Sequence, residues 1–229
     1  MAFSSADAEF AAARKNMIFG QLVPRGICES GILDAVGSVP RELFLPERMR
    51  PLAYADRTLA VDAASFLFEP AIFARLLQLA DIRESDFVLD LKAGTGYSAA
   101  VIAKKALAVV AVESDALLCR IAEDNFIKLS IDNAAALNMD ERLGFQKQAP
   151  FDLVFIDGII SSVPEGILAQ IADKGRLVCV IAQTSDAAAK AFKITKLSGS
   201  LSYTPAFEIG LKSLNLPKNS YNFAFEPVS

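Results

Sequence analysis

Between residues 86 and 181 the chain repeats one pattern: a short, mostly apolar run, unbroken at 153–156 and 177–181, then a mixed segment in which apolar positions recur at helical spacing. The runs fall at 87–91, 108–112, 134–138, 153–156 and 176–181, and the mixed segments at 98–104, 116–129 and 164–172. Apolar runs without alternation suit strands covered on both faces, so the order predicts an α/β fold with a doubly wound, mostly parallel sheet. Upstream the rhythm differs. Pro24, Pro40, Pro46, Pro51 and Pro70 divide the region into short helices, with Met17, Leu22, Ile27, Ile32, Leu33 and Val36 at helical spacing. A longer helix is predicted over 66–79, opened by Glu69-Pro70, with Ile72, Phe73, Leu76, Leu77 and Leu79 inward. After residue 190 the segments 192–197 and 203–209, joined through Ser198-Gly-Ser200, predict an antiparallel hairpin closing one edge of the sheet. The expected organisation is an N-terminal helical region, 1–79, packed with a Rossmann-like domain, 80–229, as one compact unit.

The first apolar run carries the candidate chemistry. It reads Phe87-Val-Leu-Asp-Leu-Lys-Ala-Gly-Thr-Gly-Tyr97, a strand ending near Asp90 and breaking into glycines before a helix. The next run ends at Glu113, 23 residues beyond Asp90. A glycine turn lets a ligand approach the backbone, and an acid at the tip of the neighbouring strand can accept hydrogen bonds from both ribose hydroxyls. Three readings compete for this turn. It is a ligand-free structural turn in which Asp90 caps the next helix. Or Gly94-Thr-Gly96-Tyr-Ser-Ala99 is a dinucleotide fingerprint, set against by the long helical region that precedes it. Or it holds S-adenosyl-L-methionine, with Asp90 near the ligand's amino group and Glu113 on the ribose.

Composition narrows the field. The chain has 229 residues, 53% of them hydrophobic, enough to bury one substantial core. A net charge of −4 with scattered Lys and Arg argues against sequence-independent nucleic-acid binding and a polybasic membrane anchor. No apolar run reaches membrane-spanning length, and Met1 to Phe10 carries acids before any base, unlike a secretory leader; a cytoplasmic protein is expected. Cys28, Cys119 and Cys179 lack metal-ligand spacing and read as plain buried thiols. Histidine is absent, which removes Ser-His-Asp and Cys-His nucleophilic systems and the commonest zinc sites.

Residues on both sides of the turn resemble the protein-L-isoaspartate O-methyltransferase family. Before it stand Met17, Gln21-Leu22, Gly26-Ile27, Val39-Pro-Arg-Glu-Leu-Phe-Leu-Pro46, Ala53-Tyr-Ala-Asp56 and Pro70. After it come Asn133, Asp140, Gly144, Ala149-Pro-Phe-Asp152, Val163-Pro164, Gln170 and Gly175-Arg-Leu177, so the similarity spans roughly residues 10 to 185. The resemblance implies a sheet of the class I S-adenosylmethionine methyltransferase type. It also implies methyl transfer to the α-carboxylate of an L-isoaspartyl residue in a damaged protein or peptide. Such an acceptor is already an anion at neutral pH, so no general base is needed and positioning matters most. The candidate cofactor positions are Asp90, Lys92, Gly94, Gly96, Tyr97, Glu113, Asp140 and Asp157, with Asp140 toward the adenine edge by resemblance. Tyr97 either shapes the methionine end or packs under the turn. Asp157-Gly158 ends the fourth strand of the domain, as a turn-forming acid or as a group orienting substrate or water.

Three positions depart from the family pattern. Phe68 stands where a small hydroxyl residue helps to hold the substrate carboxylate, and Ser65 is the nearest hydroxyl in sequence; both are the candidate catalytic positions. Lys92 replaces the first glycine of the turn. A positive φ there would cost a lysine about 1 kcal/mol or more, and an inward ammonium would repel a sulfonium. It would instead pair with Asp90 or a ligand carboxylate, or turn out to solvent. Glu141 also replaces a glycine. The rival readings are therefore a pseudo-enzyme that binds a partner or senses the cofactor, and a methyltransferase with a changed acceptor.

Overall fold

The computed structural model describes residues 5–182 and 188–210; the far end of the 80–229 unit and residues 1–4 of the stretch read for a leader lie outside them. The N-terminal part comprises α1 (Ser5–Met17), α2 (Ser30–Ser38), the short strands β1 (Leu59–Ala60) and β2 (Phe66–Leu67), and α3 (Pro70–Ala80). Then follow β3 (Phe87–Leu91), α4 (Tyr97–Ile102), β4 (Ala108–Glu113), α5 (Ala116–Lys128) and β5 (Ala134–Asn138). The chain continues through β6 (Phe151–Ile160), α6 (Glu165–Ala169), β7 (Ile171–Ile181), β8 (Ala189–Leu197) and β9 (Ser200–Ile209).

The central sheet has the order β5-β4-β3-β6-β7-β8-β9. Strands β3 to β7 pair in parallel, whereas β8 and β9 form the antiparallel hairpin predicted at the edge. Both faces are covered. Val88, Val109, Leu153, Phe155 and Val178 pack with the helices α1 to α5, while Leu89, Val110, Val154, Ile156 and Leu177 form a second core with Ile167 of α6. This two-sided burial is why the central parts of the strands are mostly apolar. The chain leaves β3 toward one side of the sheet and later returns to its other side with β6. The crevice at the carboxyl ends of β3 and β6 is therefore the topological switch point where open α/β sheets bind ligands.

Four boundaries differ from the predicted ones. Phe66 and Leu67 are paired with Ala60 and Leu59 in a small hairpin, and the helix starts only at Pro70, which has no amide to lose at the first helical position. The expected helix over 164–172 stops at Ala169, because Ile171 is already paired with Phe151 of β6. Asp173-Lys-Gly175, read as a turn, is a bulge inside β7, where the register jumps from Phe151↔Ile171 to Leu153↔Arg176 and Lys174 takes φ 65°. Finally, β6 does not end at Ile156. It runs to Ile160 through a second irregularity between Phe155 and Ile159 that contains Asp157 and Gly158. Of the cysteines, Cys119 and Cys179 are buried but Cys28 is exposed, which corrects the reading of all three as buried.

Candidate active site

The glycine turn after β3 is fastened from three directions. The Gly94 amide donates to Glu113 Oε2 at 2.8 Å, the Thr95 hydroxyl donates to the Phe44 carbonyl at 2.7 Å, and Asn125 Nδ2 of α5 donates to the Thr95 carbonyl at 3.1 Å. Glu113, at the tip of β4, also accepts from the Asp115 amide at 3.0 Å through Oε1. Burial raises its pKa against the pull of these two amides.

Asp90 is wholly buried near the carboxyl end of β3, where its Oδ2 accepts from the Ser98 hydroxyl at 2.6 Å. Asp157, in the irregular part of β6, is only 8% exposed. Burial pushes its carboxyl up to about 7, although Ser98, Arg41 and Lys92 work the other way. Asp90 is likewise raised, by burial and then by the charge of Asp157. Two carboxyl groups in one dry site do not both ionise easily. Among the described residues, Asp90 Oδ1, Asp157 Oδ1 and Glu141 Oε2 are buried without a hydrogen-bond partner.

Lys92 directly follows β3 and does adopt a positive φ, 59°. Its side chain does not turn out to solvent. A Cβ placed on Gly158 would lie 2.7 Å from Lys92 Cε and 3.1 Å from its Cδ, so the stem runs along β6 beside Asp157. Burial lowers the lysine pKa, while Glu141, Glu113, Asp157 and Asp62 pull it upward. A narrow cavity of about 10 Å³ remains, lined by Lys92, Gly94, Asp157 and, from the β1–β2 hairpin, Val61, Ser65 and Phe66.

The other expected positions fall in different places. Gly96 lies at the mouth of α4 with φ 90°, and a Cβ there would come within 2.9 Å of Ala122 and Phe126 of α5. Tyr97 is buried under the turn, its ring 5.4 Å from Phe44 and 5.1 Å from Phe73. Phe68 is buried as well, set edge-on to Phe66 at 4.9 Å, and does not line the cavity; Ser65 does. Asp140 is half-buried and accepts from Arg142 through both oxygens, Oδ1 at 2.8 Å and Oδ2 at 2.6 Å, so its neighbour Glu141 is the one turned inward.

Arg41 was not among the sequence candidates. It is 1% exposed, donates to the Ala53 carbonyl at 2.9 Å and to the Phe68 carbonyl at 2.5 Å, and lies 4.9 Å from the centre of the Tyr97 ring. Its charge also holds down the pKa of Asp157. The signal for it was present, since Arg41 and Glu42 interrupt an otherwise apolar stretch, Val39-Pro-Arg-Glu-Leu-Phe44.

Comparison with known proteins identifies the family. A sequence model of the protein-L-isoaspartate(D-aspartate) O-methyltransferase family matches residues 13–209. A protein-L-isoaspartate O-methyltransferase of Methylorubrum extorquens (strain PA1) is 36% identical over 168 residues, covering 73% of each chain. One of Koribacter versatilis (strain Ellin345) is 36% identical over 169 residues, 74% of this chain and 76% of the relative. Among solved structures, a protein-L-isoaspartate O-methyltransferase superposes with TM-score 0.75 at 26% identity over 86% of this chain, which spans 64% of that longer one. A Plasmodium falciparum structure described as a protein-L-isoaspartate O-methyltransferase in complex with S-adenosyl-L-homocysteine has TM-score 0.71 at 19% identity, covering 89% of this chain and 98% of its own, and supports the fold alone. This chain belongs to the protein-L-isoaspartate O-methyltransferase family, a family of S-adenosylmethionine-dependent enzymes, and has the doubly wound sheet that the resemblance implied.

Proposed function

We propose that the protein methylates the free α-carboxylate of L-isoaspartyl residues in damaged proteins or peptides, with S-adenosyl-L-methionine as donor, and that it works in the cytoplasm. The observation that carries this reading is the set of buried carboxyl groups, Asp90, Glu113, Glu141 and Asp157, at the carboxyl edge of the parallel strands. Three of their oxygens lack a hydrogen-bond partner among the described residues, which suits a ligand bearing an ammonium and a sulfonium. The cofactor supplies a methyl group activated by that sulfonium.

The residues would divide the work by position. Glu113 keeps unused lone pairs on both oxygens beside its two amide donors and would accept from the ribose hydroxyls. Asp90, oriented by Ser98, would face the ligand's ammonium. Gly94 and Gly96 form the turn that the ligand approaches, with Tyr97 bracing it from beneath. Asp140 would contribute at the adenine side through the backbone of its turn, since its carboxylate is engaged by Arg142.

On the acceptor side Ser65, not Phe68, stands on the cavity wall and would donate to the incoming carboxylate. The loop holding it is ordered by Asp62, whose Oδ1 accepts from the Ala64 and Ser65 amides, each at 2.7 Å. Phe68, buried against Phe66, would then take no direct part in holding the acceptor. The test is calorimetric titration with S-adenosylmethionine, followed by methyl transfer to an isoaspartyl peptide. Binding and peptide methylation are expected, with Ser65→Ala reducing kcat/KM about tenfold to a hundredfold for one lost charge-assisted hydrogen bond. No cofactor binding would refute the reading; binding without methylation would favour a sensor or another acceptor.

A further inference from the structure

The short 3-10 helix Arg41–Phe44 reaches both halves of the site. At its end, the Phe44 carbonyl accepts from the Thr95 hydroxyl of the glycine turn, and the Phe44 ring lies edge-on to Tyr97, which opens α4. At its start, Arg41 extends to the other half. Its Nη2 donates to the carbonyl of Phe68, the residue directly after β2, and its Nε to that of Ala53. The guanidinium that makes both bonds also lies 4.9 Å from the centre of the Tyr97 ring. One turn of backbone therefore joins the glycine turn behind β3 to the hairpin that carries Ser65. Glu42 fastens this turn to its surroundings, accepting from the Tyr54 hydroxyl and, at 3.3 Å, from Arg14 Nη2 of α1.

We propose that Arg41 is a positioning residue for methyl transfer, setting the β1–β2 hairpin, and with it Ser65, at a fixed distance from the glycine turn. This rests on the function proposed above. With no general base needed, the rate depends on how well acceptor oxygen, methyl carbon and sulfur line up, and a displacement of about 1 Å can cost about a hundredfold. The glycine turn has fastenings that do not pass through Arg41, in Glu113 and Asn125. The Phe68 carbonyl is held by Arg41 itself. Loss of the guanidinium therefore loosens the acceptor side while the cofactor side stays in place. Lysine keeps the charge beside Asp157, but its single ammonium lacks the planar spread of donors that meets two carbonyls through different nitrogens. Charge and placement are thus separable at this position.

The experiment combines calorimetry with S-adenosylmethionine and single-turnover methylation of an isoaspartyl peptide, on the full-length protein, Arg41→Lys and Tyr54→Phe. The second variant removes one of the bonds that hold Glu42, and carries the test if Arg41→Lys does not fold. Arg41→Lys should lower the rate per site at saturating peptide about tenfold to a hundredfold, with the cofactor dissociation constant within about twofold of wild type. Tyr54→Phe should act in the same sense and more weakly, about threefold to tenfold, because Arg14 still holds Glu42. Calorimetric stoichiometry counts the folded sites, so partial unfolding reduces their number and not the rate of each. A rate per site within about twofold of wild type in the folded variants would overturn the proposal. So would a cofactor affinity that falls in step with the rate, which would make Arg41 a support of the whole pocket. Wild-type protein that binds no cofactor, or methylates no isoaspartyl peptide, would instead reject the proposed function and this inference with it.

Discussion

Asp157 shows how one buried side chain makes stability depend on pH. An aspartate has a pKa near 3.8 in an unfolded chain and about 7 here. The folded protein then binds the proton more tightly than the unfolded one, so stability is greatest at low pH and falls as pH rises through that interval. Asp90 and Glu113 are shifted in the same direction and add to the fall. Asparagine cannot ionise, so Asp157→Asn should flatten the decline in melting temperature between pH 5 and pH 8. The gain approaches about 1.4 kcal/mol for every tenfold difference in proton affinity between folded and unfolded chains that the substitution abolishes, less whatever Asp90 takes over. Equal slopes for the two proteins would show that Asp157 is solvated. The identity of the inward acid was less legible than its existence. Asp140 and Glu141 are adjacent carboxylates, and which one turns inward depends on the Asp140 side chain receiving the Arg142 amide at 3.0 Å, a property of the loop rather than of either residue.

At the scale of elements, the turn between β3 and α4 is fixed by how closely α5 approaches it. Gly96 has φ 90°, and an added methyl group would meet Ala122 Cβ and the Phe126 ring at 2.9 Å, neither of which can swing aside as a long surface chain does. Gly94 has φ 55° but nothing within 4 Å of the same added atom. Left-handed backbone alone costs an alanine about 1–2 kcal/mol, and overpacking adds about 1–3. Gly94→Ala should therefore cost roughly 1–2 kcal/mol and Gly96→Ala roughly 2–5. Urea midpoints with unchanged m-values would show the difference. A Gly96→Ala as mild as Gly94→Ala would mean that α5 yields. The strand, glycine turn and helix were readable because each is local: apolar run, Asp90, paired glycines, then small residues. The extension of β6 to Ile160, the early start of β7 and the pairing of Phe66 with Ala60 were not, since each depends on a partner strand distant in sequence. The same limit applied to the site. Spacing located Asp90 and Glu113, whereas the separation of Ser65 from Phe68 came from a hairpin that helical spacing had concealed.

Across the whole molecule, the Arg176 side chain joins the end of α3 to the sheet, at the opposite end of the strands from the pocket. Arg176 of β7 meets Asp86, just before β3, at 3.0 and 2.5 Å, and both are buried. The same guanidinium donates to the carbonyls of Ala80 at the end of α3, Asp81 and Asp152, at 2.7, 2.7 and 3.1 Å. Burial alone would raise the Asp86 pKa, but Arg176 and the Arg83 amide bring it below its usual 3.8. A depressed folded pKa gives stability that is present above the unfolded value and is lost as pH falls through the folded one. Asp86 thus works against the pocket acids: it weakens the fold in strong acid, while Asp157 weakens it as pH approaches 7. The ligand-free protein should be most stable in mildly acidic solution between these limits, which a series of melting curves from pH 3 to pH 8 would trace. Removing one partner leaves the other charge buried, so Asp86→Ala should cost about 3–5 kcal/mol. Replacing both, as Asp86→Ala with Arg176→Met, should cost clearly less than the sum of the single changes. Additive losses in the double-mutant cycle would mean that the carbonyl contacts, not the charge pair, hold α3 to the sheet.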